Sequence, residues 1–261
     1  MNTKKLWAIA GLALSSTFAL LAAPVQAAGI SFSPFIFSNT FTGNDPKGDI
    51  WLDSVSYGDR TVTDFSLVQT ANIIQNDLWT KGNTGAASAD RGDNASGVKA
   101  ENPTSNNIAA ALGNLNLNNI VDTEDTGSFI IDVMFSSAIS EFFFWERGMN
   151  SKLMVQAMGE GDTVLASFLL NSNQGSGFTD AGFSLDTAEI GSAQKVGALG
   201  LFLDGASTNR LRLISESSYN GADFKVAGAQ AVPEPATMAG TALAVGALVS
   251  ARRKKRNEKQ A

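Results

Sequence analysis

The sequence predicts a mainly β protein whose body is an antiparallel β-sandwich or jelly roll. The clearest strand is residues 129–135, in which Phe129, Ile131, Val133 and Phe135 alternate with other residues, including Asp132. Similar short apolar runs recur along the chain, separated by turn residues such as Gly, Asn and Asp. A regular series of short strands with such breaks is typical of sandwiches and jelly rolls.

The predicted elements follow one another closely between the two ends of the chain. Strands are expected at residues 50–57, 62–74, 129–135, 141–146, 152–158, 163–170, 196–203, 210–214 and 223–226. A short helix is expected at residues 106–112, where an Ala-rich run follows an Asn-rich cap. Residues 81–107 are dominated by Gly, Ala, Ser, Asn and Asp, so we expect a long polar loop there.

The composition excludes several classes of chemistry. The 261 residues include no His and no Cys, which rules out a Ser-His-Asp site, disulfides, thiolate zinc sites and iron-sulfur clusters. Residues 28–232 contain 11 basic and 23 acidic residues, a formal charge of −12. Such a body repels phosphate backbones and anionic lipid, so no nucleic-acid partner is expected, whereas metal cations and neutral sugars are compatible with it.

The N-terminal segment has the three parts of a secretory signal peptide. Lys4 and Lys5 precede an apolar stretch at residues 6–21, and Val25 and Ala27 form a small-residue cleavage site. The sequence therefore predicts a signal peptide at residues 1–27, removed by signal peptidase, and a body at residues 28–231 outside the cytoplasm. An uncut N-terminal membrane anchor is the alternative.

The C-terminal segment, residues 232–261, also has three parts. Pro233, Glu234 and Pro235 precede an uncharged stretch at residues 236–251. That stretch predicts a transmembrane helix of about 24 Å, which flanking residues can extend toward the roughly 30 Å hydrocarbon core. By the positive-inside rule, the cluster that follows stays in the cytoplasm; it comprises Arg252, Arg253, Lys254, Lys255 and Arg256.

This tail resembles the PEP-CTERM sorting signal of Gram-negative bacteria. The resemblance implies that the membrane protein exosortase recognises the Pro-Glu-Pro motif and that the chain is cut near it. The body would then pass from an inner-membrane intermediate to the outer surface or an extracellular matrix. Residues 51–55, 112–125 and 144–148 are similar to exosortase-dependent surface proteins of the cyanobacterial type, which implies a surface location and no catalytic residues. An ordinary tail anchor behind a rigid Pro-rich spacer is the alternative.

One acidic cluster is a candidate cation site. Asp122, Glu124 and Asp125 lie within four residues, before an expected strand, and offer the oxygen ligands that Ca²⁺ requires. Asp90 and Asp93 form a fainter candidate. The alternative is a solvated acidic turn that binds no ion, and Ca²⁺ is the only cofactor that the sequence suggests.

The densest aromatic run, residues 142–145, is a candidate carbohydrate platform. On a strand, Phe143 and Trp145 share one face and Phe142 and Phe144 the other. A sandwich strand buries one face against the second sheet, so the other pair needs a loop, a partner or a ligand to cover it. Phe143 and Trp145 would stack on sugar rings; the alternative is that a loop or strand covers them.

These observations favour a non-enzymatic exported protein of the surface or extracellular matrix, associated with exopolysaccharide or a biofilm. Its partners would be signal peptidase, exosortase and extracellular polysaccharide. A carbohydrate-binding module with defined sugar specificity is the nearest alternative. A glycoside hydrolase is the enzymatic alternative, since that reaction needs only a pair of carboxylates; Glu141, Glu146 and Asp132 are its candidates.

Overall fold

Strands dominate the computed structural model, which describes residues 29–172 and 177–230. It is 56% strand and 8% helix, and its sheets are antiparallel, which confirms the mainly β class and is consistent with a β-sandwich. The strands are β1 Ser31–Phe35, β2 Ser38–Thr42, β3 Trp51–Tyr57, β4 Arg60–Val62, β5 Phe65–Ser66, β6 Val68–Asn76, β7 Ala87–Arg91, β8 Asn119–Thr123, β9 Phe129–Ile139, β10 Glu141–Arg147, β11 Lys152–Met158, β12 Val164–Asn171, β13 Thr179–Leu185, β14 Gln194–Asp204, β15 Thr208–Ser215 and β16 Asp223–Ala229. The helices are α1 Ser105–Leu112 and the 3₁₀ turns Glu160–Asp162 and Ser217–Tyr219.

The two terminal signals predicted from the sequence, residues 1–27 and 232–261, lie outside the described residues. In the part of the chain that the structure covers, no helix has the length and apolar character needed to cross a membrane.

The described strands form three antiparallel sheets. The largest has eight strands: β1, β14, β10, β16, β8 and β7 follow one another, with β13 added beside β14 and β5 beside β16. A five-stranded sheet has the order β12-β11-β15-β9-β6, and a three-stranded sheet the order β2-β3-β4. Strand β10 therefore lies in the interior of the large sheet, paired with β14 and β16.

The large sheet is the middle layer, because both of its faces are covered. Phe142 and Phe144 of β10 belong to the apolar core shared with the five-stranded sheet. Phe143 and Trp145 point the opposite way, into a second core shared with residues of β3 and β4. The alternation of side chains along β10 thus supplies both cores.

The five-stranded sheet has one apolar and one polar face. The alternation predicted for residues 129–135 is confirmed: Phe129, Ile131, Val133 and Phe135 are all buried in the first core. Asp132 points away from that core and forms a two-bond ion pair with Arg212, at 2.7 and 3.0 Å.

The prediction of one polar loop at residues 81–107 is wrong. This segment contains β7, which is the edge strand of the large sheet and pairs with β8 along its whole length. Two small residues of β7, Ala87 and Ala89, are buried. Strand β7 has weak strand propensity, but pairing with β8 supplies hydrogen-bond partners for its backbone. Its small side chains also allow close packing.

Helix α1 confirms the short helix expected near residues 106–112. The Thr104 hydroxyl accepts a hydrogen bond from the Asn107 amide, and Asn107 bonds back to Thr104, which together cap the first turn. At the other end, the buried ammonium of Lys225 donates to the Ala111 carbonyl at 2.6 Å. Burial holds the pKa of Lys225 well below its usual value.

Candidate functional site

A row of polar side chains crosses four neighbouring strands of the large sheet. Ser88 on β7 lies opposite Asp122 on β8, and Asp223 on β16 lies opposite Arg147 on β10. The antiparallel pairing of β16 with β8 also places Asp223 beside Asp122. Since side chains alternate along each strand, all four residues point to the same face of the sheet as Trp145.

Arg147 holds a loop over this row. Its side chain is fully buried and forms an ion pair with Asp223 at 3.1 Å. Its remaining guanidinium donors bind main-chain carbonyls at the end of β13 and in the β13–β14 loop, residues 186–193: Leu185 at 3.2 Å, Ile190 at 3.4 Å and Ser192 at 3.1 Å. The loop between these contacts carries Glu189 toward the polar row.

Three carboxylates converge where the β13–β14 loop meets strands β7 and β8. Asp90, Asp122 and Glu189 each offer an oxygen, and these oxygens all lie within 4.8 Å of one another. Asp90 is 0% exposed and Asp122 is 3% exposed. One oxygen of each, Asp90 Oδ1 and Asp122 Oδ2, is buried without a hydrogen-bond partner in the part of the chain that the structure describes. We call Asp90, Asp122 and Glu189 the acidic triad.

Neighbouring groups hold two members of the triad in place. The main-chain amide of Glu189 donates to Asp90 Oδ2 at 3.2 Å. The Ser88 hydroxyl donates to Glu189 Oε2 at 3.2 Å. The Asp90 contact uses Oδ2 and leaves Oδ1 without a hydrogen-bond partner among the described residues.

Glu101 and Glu124 place two more carboxyl groups beside the triad. Burial, followed by the nearby Glu189, raises the pKa of Glu101 and raises that of Glu124 to about 8. Burial and the neighbouring Asp223 raise the pKa of Asp122 well above its usual value. The common cause is that carboxylates taken out of water and close to like charges are costly to ionise.

Asp122 and Glu189 of the triad, together with Glu101 and Glu124, line a pocket of about 650 Å³. Its walls also include one aromatic ring, that of Trp79, and four side-chain amides, those of Asn83, Asn150, Gln194 and Asn220. The only cations along the described walls are Lys99, which lies 3.8 Å from Glu101, and Arg147, which is paired with Asp223. With hard oxygen donors and little positive charge, the pocket can hold shared protons or a cation.

The cation site expected from the sequence is only partly assembled. Asp122 and Glu124 line the pocket, but Asp122 lies within β8 and not in a turn before a strand. Asp125 also lines the pocket, but it is exposed, accepts a hydrogen bond from Asn83 at 3.0 Å and lies outside the triad. Of the fainter candidates, Asp90 joins the triad, whereas Asp93 forms a surface ion pair with Lys47.

The prediction that Phe143 and Trp145 form a carbohydrate platform is wrong. Phe143 is 0% exposed and Trp145 is 2% exposed, so neither ring can stack on a sugar. Phe37 packs edge-on against both rings, at centroid distances of 5.2 and 5.4 Å. The outer apolar core beneath the three-stranded sheet covers this face of β10.

The three carboxylates considered for catalysis occupy separate places. Glu141 binds Arg60 and the Tyr57 hydroxyl on the outer side of the large sheet. Asp132 is paired with Arg212 on the five-stranded sheet, and Glu146 is buried on the opposite face of β10 from Arg147. The structure therefore brings no pair of these three together.

The burial of Glu146 makes the stability of the protein depend on pH. Burial is the main reason that its pKa is raised from 4.5 to about 8, and Asp223 adds to it. The unfolded chain releases this proton near pH 4.5, so the stabilisation is complete below that pH and is lost as pH rises toward 8. We expect Glu146→Gln to be more stable than wild type by about 3–5 kcal/mol at pH 9, and equal to it at pH 4.

Urea unfolding at the two pH values measures this difference. The exposed Glu160 offers a matched control, and Glu160→Gln should follow wild type at both pH values. A Glu146→Gln variant that also follows wild type would show that Glu146 ionises freely in the folded state.

Comparison of the chain with protein-family models, curated proteins and solved structures found no match. The class of protein is therefore defined by its fold and site alone. It is an antiparallel β protein with a carboxylate-lined pocket at one end of its large sheet. Sequence reasoning missed Glu189 and Glu101 as members of this pocket. Neither has a local signal, because each reaches the pocket through contacts distant in sequence.

Proposed function

We propose that this chain is a non-enzymatic exported protein, sorted by exosortase to the outer surface or an extracellular matrix rich in polysaccharide. The signal-peptide pattern at residues 1–27 and the tripartite tail at residues 232–261 support export and sorting. The order of the tail is the observation that carries the proposal: Pro233, Glu234 and Pro235, then an uncharged stretch, then a basic cluster.

The Pro-Glu-Pro motif follows the last described strand closely in the sequence, which fits processing at the motif. Strand β16, an interior strand of the large sheet, ends at Ala229, and the Gln230 amide donates to the Asp64 carbonyl at 3.2 Å. Pro233 follows only three positions later. A cut at the motif would therefore release the whole described body without removing any strand from it.

Intact-mass analysis of the protein from the cell surface tests this proposal. The expected chain begins near Ala28, ends close to Pro235 and lacks peptides from residues 252–261. Recovery of those peptides in the surface fraction, or unchanged processing after deletion of the exosortase, would contradict sorting and favour a simple anchor.

A single substitution in the motif gives a second test. Glu234→Ala should accumulate as an unprocessed membrane form, because a recognition motif requires its acidic residue while an anchor does not. Glu258→Ala removes the other acidic residue of the tail and should be processed like wild type. Equal processing of the two variants would mean that Glu234 is not recognised.

A carbohydrate-binding module remains the second candidate function, now at a different site. The pocket combines the Trp79 ring with side-chain amides, a set of groups that can stack on and hydrogen-bond to a sugar. Binding to a glycan array should then be lost in Trp79→Ala and kept in Trp51→Ala, which removes an exposed ring outside the pocket. Equal binding by both variants would contradict a sugar site in the pocket.

A further inference from the structure

We propose that the acidic triad binds one Ca²⁺ ion, held by Asp90, Asp122 and Glu189. Their oxygens come from β7, β8 and the β13–β14 loop and lie within 4.8 Å of one another. Ca²⁺ binds oxygens at about 2.3–2.6 Å, so two of its ligands can be up to about 5 Å apart. One ion can thus contact all three carboxylates. This inference does not depend on the proposed sorting.

The unpartnered oxygens indicate a missing ligand. Asp90 Oδ1 and Asp122 Oδ2 are both buried and have no hydrogen-bond partner among the described residues. Buried acceptors in native proteins nearly always have a partner, because leaving one unpaired costs the full loss of its hydration. A cation between them supplies that partner to both at once.

The surrounding contacts have the form of a metal site with a supporting shell. The Glu189 amide binds the second oxygen of Asp90, and the Ser88 hydroxyl binds Glu189 Oε2. Such contacts orient ligating carboxylates and reduce their freedom before the ion arrives. Arg147 fixes the loop that carries Glu189, so the third ligand is also held from outside the triad.

The charge of the pocket is unbalanced in the way that a divalent ion would correct. Glu101 and Glu124 adjoin Glu189 of the triad, and the buried Glu101 Oε2 has no hydrogen-bond partner within residues 29–172 and 177–230. Lys99, 3.8 Å from Glu101, is the only described cation along the walls that is not committed to Asp223. A Ca²⁺ ion would offset the repulsion between these carboxylates in their ionised form, and Glu101 or Glu124 can add further oxygens to its coordination shell.

The donor set favours Ca²⁺ over other metals. The chain has no His or Cys, so the nitrogen and sulfur ligands that select zinc or copper are absent from the whole sequence. Mg²⁺ binds oxygens at about 2.0–2.1 Å in strict octahedral geometry and keeps several waters, which suits a rigid cluster of buried carboxylates poorly. Ca²⁺ accepts six to eight oxygens in irregular geometry, and the pocket leaves room for water among them.

Calorimetric titration of the purified protein, stripped with a chelator, tests the site. We expect one Ca²⁺ per chain at pH 7.5, and a rise in the melting temperature of several degrees that Mg²⁺ at the same ionic strength does not match. Glu189→Gln keeps the shape of the side chain on a loop and should weaken Ca²⁺ binding by about 100-fold or more. Asp180→Asn removes the same charge at an exposed site paired with Lys195, and should bind like wild type.

Two further variants separate the ligand set from its neighbours. Asp122→Asn should lose the Ca²⁺-dependent rise in melting temperature, and its melting temperature without Ca²⁺ reports directly whether it folds. Asp125→Asn removes a pocket-lining carboxylate outside the triad and should weaken Ca²⁺ binding far less than Glu189→Gln does. The proposal is overturned if wild type gives no binding heat, if Ca²⁺ and Mg²⁺ shift melting equally, or if Glu189→Gln binds as tightly as wild type.

Discussion

Replacing Arg147 with methionine is expected to destabilise the protein by about 3–5 kcal/mol. The guanidinium is fully buried, pairs with Asp223 at 3.1 Å and binds three main-chain carbonyls. Methionine fills similar space but leaves the Asp223 carboxylate buried beside Asp122 without its positive partner. Urea unfolding at pH 7 measures the loss, and Ca²⁺ titration should show weaker binding because the Glu189 loop loses its anchor.

Two comparisons give this prediction its control. Adding Asp223→Asn to the Arg147→Met variant should recover part of the lost stability, since it removes the unpaired charge. Lys195→Met breaks an exposed ion pair with Asp180 and should change stability by less than about 1 kcal/mol. A loss of similar size in Lys195→Met and Arg147→Met would show that burial of the Arg147 pair has no special effect.

Replacing Trp145 with alanine is expected to cost about 3–5 kcal/mol of stability. The ring is 2% exposed and packs against Phe37, and its indole N–H donates to the Asn39 side chain at 3.2 Å. Alanine would leave a cavity in the outer core and an unpaired amide oxygen on Asn39. Denaturant unfolding should show the loss as a lower midpoint with a similar slope.

Trp51 provides the matched control, because the same substitution there removes an indole that is 41% exposed. Trp51→Ala should change stability far less than Trp145→Ala. If Trp145→Ala instead remained as stable as wild type, the ring would not be buried in the folded protein, and the platform expected from the sequence would regain support.

The strands that the sequence predicted are those with strong local patterns. Alternation at residues 129–135 and the apolar runs at residues 152–158 and 196–203 correspond to β9, β11 and β14. Strand β7 had no such pattern, because its residues Ala87–Arg91 are small or charged and have weak strand propensity. It exists because β8 supplies its hydrogen-bond partners, and pairing of that kind is not encoded in a short window of sequence.

The residues of the candidate site also differ in whether the local sequence could predict them. The sequence pointed to Asp122 and Glu124 because acidic residues clustered locally, and it included Asp90 as a fainter candidate. It had no signal for Glu189, whose amide reaches Asp90 across 99 positions of the chain. The spacing of acidic residues in the sequence can indicate ligands that share one turn. It cannot indicate ligands that meet only in the folded protein, where Arg147 binds the distant loop that carries Glu189.

The amino-acid sequence by itself determined which chemistry is available: oxygen ligands but no imidazole or thiolate, an acidic body, and strands whose faces alternate. Alternation established that Phe143 and Trp145 share a face, but only the tertiary structure decided that this face is covered by the outer core. The same holds for the acidic triad, whose members lie on β7, β8 and a later loop. Local sequence sets the direction of each side chain, whereas burial and convergence depend on segments that become neighbours only after folding.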